Sequence, residues 1–403
     1  MLNLEEIRRD FPILETGVIY LDNASTSLTP EPVVQKTMEY YREYRANVGR
    51  GIHRLSQKAS EEYGKARSKI AKLINAKHEE EVVFTKNTTE GINLIANGVG
   101  WRKGDKIVTT LMEHHSNLIP WQRLNQQRDI DLAVVKPSRE GILNLSDFES
   151  AIDDRTRLVA LTHVSNVLGA IAPIKEVAQL AHSHGSLLLV DGAQSVPHMP
   201  VDVDRVGCDF LAFSGHKMLG PTGIGVLYIR EELEGEIQPQ SIGGGGIKDV
   251  TQEQYKLAES PARFESGTPP IAEAIGLGEA AEYLHRKGLE NIAVHERELA
   301  NIIRKELQAI DRVEVYGPTN PNQATGIVSF NIAQVNPHDV ALALDISGNI
   351  MVRSGYHCCM PLVKDVLGIK EGTVRASVYL YNTVQEVDKL IKLIGEIART
   401  AKN

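Results

Sequence analysis

The chain has 403 residues, 42% apolar and 24% charged, with a net charge of -8, the balance of a folded globular protein with room for two or three domains. The acidic balance and the absence of any lysine or arginine run argue against nucleic acid as a partner. No apolar stretch approaches the ~18 residues of a membrane span, and the charged start MLNLEEIRRDF lacks the apolar segment of a signal peptide, so a cytoplasmic protein whose three cysteines are thiols is expected.

Taken in chain order, short β-rich runs begin near residue 80: EVVFT (81–85), KIVTT (106–110), DLAVV (131–135), RLVALTH (157–163), SLLLV (186–190), DFLAF (209–213) and GVLYI (225–229). Helical patterns such as TEGINLIANGV (89–99) and IKEVAQLAHSH (174–184) lie between most of them. Near-continuous apolar strands alternating with helices predict a mostly parallel sheet covered on both faces. The GGGG at 243–246 lacks a following Lys-Ser/Thr helix start and reads as a flexible loop, not a P-loop. An amphipathic stretch from Ile271 to Ile310, broken near Gly288, leads out of this region. Beyond residue 311, strands GIVSFNI (326–332) and TVRASVYL (373–380) mix with helices in the α+β manner.

Open α/β sheets bind ligands at the carboxyl ends of their strands, so the residues just after each run are the site candidates. After EVVFT comes KNTTEG, where Asn87 and Glu90 make a capping pair. Thr88 and Thr89 then sit at a helix N-terminus whose free N–H groups suit a phosphate. KIVTT is followed by His114 and His115, RLVALTH by Asn166, and SLLLV by Asp191 and Gln194. After DFLAF, the passage SGHKMLGPTGIG sets Ser214, His216 and Lys217 on a Gly/Pro turn between two buried strands. A desolvated ammonium there titrates down toward a reactive amine.

Taken singly, these residues have plain readings: the lysine as surface charge, Asp191 as a turn cap, the vicinal histidines as surface residues. No Cys-x-x-Cys or His-x-x-x-His spacing supports a metal site. Together, a phosphate nest, a carboxylate, a ring-stacking histidine and an amine on one sheet edge are what pyridoxal 5'-phosphate needs. Cys208 precedes a buried strand and reads as a small core residue. Cys358 and Cys359 are adjacent in RSGYHCCMP (353–361), a short Gly-containing turn that favours chemistry over packing.

VDGAQSVPH (190–198) followed by FSGHKMLGPTGIGVLY (213–228) resembles the fold-type I, class V aminotransferase superfamily. With MEHHSNLIPWQ (112–122), FESGTP (264–269) and RSGYHCCMP, the chain is similar to the cysteine desulfurases of the short-loop group II, the cysteine desulfurase/selenocysteine lyase type. The likeness runs from YLDNAS (20–25) to YNTVQEVDKL (381–390). It implies a fold-type I α/β transferase with a mostly parallel seven-stranded sheet, helices on both faces and a smaller α+β C-terminal domain. The expected division is 16–290 for the large cofactor-binding domain and 1–15 with 291–403 for the small one carrying the cysteine loop.

The resemblance also implies roles. Lys217 is the lysine that bonds the cofactor, Asp191 the partner of its ring nitrogen, Gln194 the holder of its ring hydroxyl, and His114 the stacking and proton-transferring residue. Thr88, Thr89, Ser214 and His216 hold the phosphate, with Thr268 reaching in from the second subunit of a homodimer. Asn166 and Arg375 bind the substrate carboxylate, for which a planar guanidinium is suited. Cys358 takes sulfur from L-cysteine as a persulfide, releasing L-alanine, for a sulfur-acceptor or scaffold protein of iron–sulfur cluster assembly. Either the neighbouring His357 raises the thiolate fraction, or the substrate thiol's proton passes through His114. Two positions depart from the family pattern: Cys359 stands where a small residue is usual, and Tyr356 where a histidine is common. The competing readings are a selenocysteine lyase, a class V aminotransferase, which leaves the thiol without a task, and a scaffold that has lost its activity.

Overall fold

The computed structural model describes residues 2–400. A two-residue strand, β1 (Ile19–Tyr20), precedes β2 (Val82–Thr85), β3 (Lys106–Thr110), β4 (Asp131–Val135), β5 (Thr156–Thr162), β6 (Leu187–Asp191), β7 (Phe210–Ser214) and β8 (Gly225–Ile229). Strands β2 to β8 form one seven-stranded sheet in the order β2-β8-β7-β6-β5-β3-β4. Only β8 runs against the others, so the sheet is mostly parallel, as the apolar runs predict. Successive side chains of each strand feed opposite cores. Leu188 and Val190 pack with Ile70, Ile275 and Leu277 on one face. Leu189 packs with Ile92, Ile95 and Trp121 on the other. DLAVV is the exception in burial: as the edge strand β4 it is largely open to solvent.

An exposed hairpin follows, β9 (Ile247–Val250) with β10 (Tyr255–Leu257). The long amphipathic stretch is two helices, Ile271–Lys287 and Leu289–Gln308, parted at Gly288, whose φ of 82° is a left-handed value open to glycine. Beyond them lie β11 (Val313–Tyr316), β12 (Ile327–Ile332), β13 (Ile350–Met351), β14 (Arg353–Gly355) and β15 (Thr373–Ser377). An antiparallel sheet of order β11-β12-β15-β14 packs Val328, Phe330, Val374 and Ala376 against helices Leu289–Gln308, Pro337–Gly348 and Val384–Thr400. This is the α+β region expected past residue 311. Strand β1 pairs parallel with β13 as a separate two-stranded sheet, and an isolated bridge from Asp22 to Ser377 of β15 ties the start of the chain to the second sheet.

The consequence for function is geometric. Thr162, Asp191 and Ser214 end three neighbouring parallel strands of the large sheet, while β14 and β15 bring the cysteine loop and Arg375 from the small one. No helix among the described residues is long and apolar enough to cross a membrane.

Candidate active site

The helix Thr88–Gly98 starts just after β2 ends, and its first turn is held by a network of capping and hydroxyl contacts. Asn87 Oδ1 accepts the Glu90 N–H at 2.9 Å, capping the helix. The Glu90 carboxylate reaches back one residue further than a reciprocal pair would, to the Lys86 N–H at 2.5 Å. Thr88 N–H donates to Ser214 Oγ at 2.9 Å, and the two hydroxyls lie 2.6 Å apart. Thr89 Oγ1 pairs with Ser116 Oγ at 2.8 Å. The close seat of this helix depends on Gly225: a Cβ there would sit 2.6 Å from Asn87 Cα and 2.8 Å from the Phe213 carbonyl. Gly225→Ala is therefore expected to cost about 1–3 kcal/mol of stability, because backbone on both sides must move; a thermal unfolding curve unchanged from the parent would refute this.

Beside this helix start, the 3-10 turn Gly215–Lys217 follows β7. Lys217 makes no hydrogen bond or salt bridge with any described residue. Burial depresses its pKa, opposed by the negative charge of Asp191. Asp191 is buried at the end of β6, with Oδ1 accepting the Ala193 N–H at 2.9 Å; burial raises its pKa. Gln194 donates to the Ala24 carbonyl at 2.6 Å, leaving its own oxygen buried without a partner. His114 Nδ1 accepts the Ser116 N–H at 3.1 Å. Burial first, then the charges of Lys217, His115 and Arg375, lower the His114 pKa to about 3, so the ring is neutral at ordinary pH. His216, lowered to about 4 by burial and Lys217, is neutral too, with Nδ1 3.1 Å from Thr26 Oγ1.

The opposite wall is the cysteine loop. His357 and Cys358 both have left-handed backbone, φ 50° and 56°, so the loop is coiled rather than extended. Cys358 is exposed and Cys359 fully buried. His357 cannot serve as a cation beside the thiol: burial and Arg375 hold its pKa well below the ordinary value, and Nε2 is 2.8 Å from Thr373 Oγ1. Arg375 donates to the Asn166 carbonyl at 2.9 Å, to Asp22 at 3.0 Å and to Ser25 at 2.7 Å, leaving Nε buried and free. Asn166 spends one amide hydrogen on the His357 carbonyl at 2.6 Å.

A cavity of about 290 Å³ joins these walls, lined by Thr88, Thr89, His114, Asn166, Asp191, Gln194, Ser214, His216, Lys217, Cys358 and Arg375. One expected residue is elsewhere: Thr268 lines a separate cavity with Lys86 and Glu90. Sequence reading missed Ser25, Ser116 and Arg353 on the same cavity and Asp22 behind Arg375. Ser25 and Asp22 follow β1, which belongs to neither apolar run of the large sheet, so strand-end reasoning did not reach them.

Residues 19–390 match the family model for Aminotransferase class-V. A probable cysteine desulfurase of Pyrococcus abyssi is 46% identical over 99% of this chain and 98% of its own length. One of Methanothermobacter thermautotrophicus is also 46% identical, over 98% of both. Among solved structures, the apo cysteine desulfurase of Thermococcus onnurineus superposes with a TM-score of 0.95 at 48% identity, covering 99% of each chain. Escherichia coli CsdA, in its S-sulfonic acid form, gives 0.92 at 34% identity, covering 100% of this chain and 99% of its own. With that likeness along its whole length and this site at its sheet edge, the chain belongs to the aminotransferase class-V family and, within it, to the cysteine desulfurases.

Proposed function

We propose that this enzyme converts L-cysteine to L-alanine, holding the sulfur as a persulfide on Cys358 for transfer to an acceptor protein, with pyridoxal 5'-phosphate bound through Lys217. The observation that carries the reading is an exposed thiol on a cavity that also holds an unpartnered lysine, a buried carboxylate and a helix start. The residues fit the cofactor: the orphaned Gln194 oxygen suits a ring hydroxyl, and the Thr88 helix start suits a phosphate. When bound, the cofactor supplies an electron sink that acidifies the substrate α-carbon.

The chain's own residues do the rest. Thr88, Thr89, Ser214 and His216 hold the phosphate, and Asp191 offers its second oxygen to the ring nitrogen. Lys217, with a pKa depressed by burial, keeps more of its amine unprotonated than a surface lysine. Arg375, held by Asp22 and Ser25, lines the cavity with Asn166 and would bind the substrate carboxylate there. His114 enters neutral, with Nδ1 engaged and the proton on Nε2. In that state His114 donates from Nε2 and takes up the substrate thiol's proton only when Nδ1 leaves the Ser116 N–H, while His357, on the same cavity, has Nε2 engaged with Thr373. A plain aminotransferase leaves the exposed Cys358 without a task. Alanine and sulfide release from L-cysteine and from L-selenocysteine, with and without candidate acceptors, tests the reading; no alanine from L-cysteine sinks it, and strong preference for the selenium substrate turns it into a selenocysteine lyase.

The same proposal includes a cytoplasmic homodimer serving iron–sulfur cluster assembly. Three free thiols support the compartment. The place of Thr268, off its own chain's cavity, supports a site completed by a second copy. Mixing Lys217→Ala with Thr268→Ala chains is then expected to restore about half of one parental dimer's activity per heterodimer, since one site is whole; no gain above the separate variants speaks against sharing. A large part (16–290) and a small part (1–15 with 291–403) are likewise proposed. The core of the second sheet supports it, although Ile7, Phe11 and Leu14 pack with the large-sheet core and Ile19 and Leu21 with the small one.

A further inference from the structure

The chain carries two vicinal pairs, His114–His115 and Cys358–Cys359, and the proposed function uses only the first member of each. The second members tie the two segments together. His115 N–H donates to the Cys358 carbonyl at 2.7 Å. The Met360 N–H donates to His115 Nε2 at 3.1 Å. In the other direction, Cys359 Sγ lies 3.1 Å from the Glu113 carbonyl and 3.4 Å from that of Met112. Each loop thus inserts one side chain into the backbone of the other.

We infer that His115 and Cys359 are positioning residues that clasp the histidine turn to the cysteine loop and set where Cys358 stands relative to His114. The inference rests on the reading of Cys358 as the sulfur-accepting thiol. The loop needs such a clasp, because two successive non-glycine residues, His357 and Cys358, are held at positive φ, a conformation that persists only where surroundings over-determine it. The clasp bonds fall on those residues and their immediate neighbours. The Asn166 amide holds the His357 carbonyl, His115 N–H holds the Cys358 carbonyl, and the Cys359 N–H closes back on the Tyr356 carbonyl at 2.9 Å.

The turn that carries the histidines is itself anchored. Glu113 is fully buried and accepts from Thr110 Oγ1 at 2.7 Å and Asn117 Nδ2 at 2.6 Å, and the Asn117 oxygen accepts from Trp121 Nε1 at 3.2 Å. The clasp therefore fastens a strained loop to a rigid turn. His115 must be neutral for Nε2 to accept, and burial lowers its pKa in that direction. Cys359 is placed for this task and not for relaying sulfur: its thiol meets backbone carbonyls, and Cys358, not Cys359, lines the cavity.

The test uses the holoenzyme and the variants His115→Ala, His115→Gln, Cys359→Ala and Cys359→Ser. Turnover is measured with L-cysteine, and iodoacetamide labelling of Cys358 is measured without substrate. His115→Ala is expected to lower kcat about three- to tenfold, the worth of one lost hydrogen bond, with KM within about twofold. The labelling rate shifts by a similar factor while cofactor absorbance stays unchanged. His115→Gln, whose side-chain oxygen can accept the same Met360 N–H, restores both readouts. Cys359→Ser, a donor at the same carbonyls, outperforms Cys359→Ala. In the double alanine variant the losses are smaller than the product of the two, because each end depends on the other. His115→Ala with parental kcat and labelling overturns the clasp, and so does a His115→Gln no better than alanine. Unchanged persulfide formation in Cys358→Ala would instead overturn the underlying reading, while the labelling arm still decides the clasp.

Discussion

Replacing Lys217 by alanine is expected to abolish alanine release from L-cysteine while leaving non-covalent cofactor binding in place. The two effects separate because they are proposed to rest on different groups. Phosphate binding is proposed to depend on the start of helix Thr88–Gly98 and on Ser214, whose bonds to one another do not involve the lysine. Covalent attachment depends on an amine that burial pushes toward its neutral form and that no described residue occupies. Loss of an attacking group of this kind lowers turnover by about a thousandfold or more. Lys217→Arg is expected to fare no better, since a guanidinium stays protonated and cannot attack. Borohydride treatment followed by mass spectrometry reads the attachment directly: the parent chain gains the cofactor's mass on the Lys217 peptide, and the variant does not. Turnover within twofold of the parent would remove Lys217 from the chemistry.

Much of this site was legible because it obeys one rule of α/β sheets. Thr88, His114, Asp191, Ser214 and Lys217 each follow a strand whose apolar run is visible in the sequence, and parallel strands carry their carboxyl ends to one edge. What strand-end reasoning could not reach depends on folding between distant segments. The charge state of His357 follows from burial beside Thr373 and Arg375, not from its neighbours in RSGYHCCMP. Arg375 is aimed by Asp22 and Ser25, more than three hundred residues away. The cysteine loop shows the sharpest difference. The two thiols are separated, one exposed and one buried, by successive left-handed residues at His357 and Cys358 that the turn residues of RSGYHCCMP do not announce.

Cys358→Ala is expected to stop persulfide formation from L-cysteine while substrate still binds and its α-proton still exchanges with solvent. The reasoning is one of place. The Cys358 thiol is exposed on the cavity that holds Lys217, whereas the groups proposed to bind substrate, Arg375 and Asn166, are held by Asp22, Ser25 and backbone rather than by that sulfur. Removing the thiol should therefore cost sulfur transfer by about a hundredfold or more, the scale for a missing nucleophile, with little change in substrate affinity. Cys359 cannot stand in for it. Its sulfur is fully buried against the carbonyls of Met112 and Glu113, and burial pushes its thiol pKa far above the ordinary range, which denies it the thiolate that attack requires. Mass spectrometry after a single turnover distinguishes the two thiols. The parent should carry one extra sulfur on the peptide containing both cysteines, Cys359→Ala should carry it as well, and Cys358→Ala should carry none. Extra sulfur on the Cys358→Ala chain, with none on Cys359→Ala, would transfer the accepting role to the buried thiol and require the loop to open during each cycle.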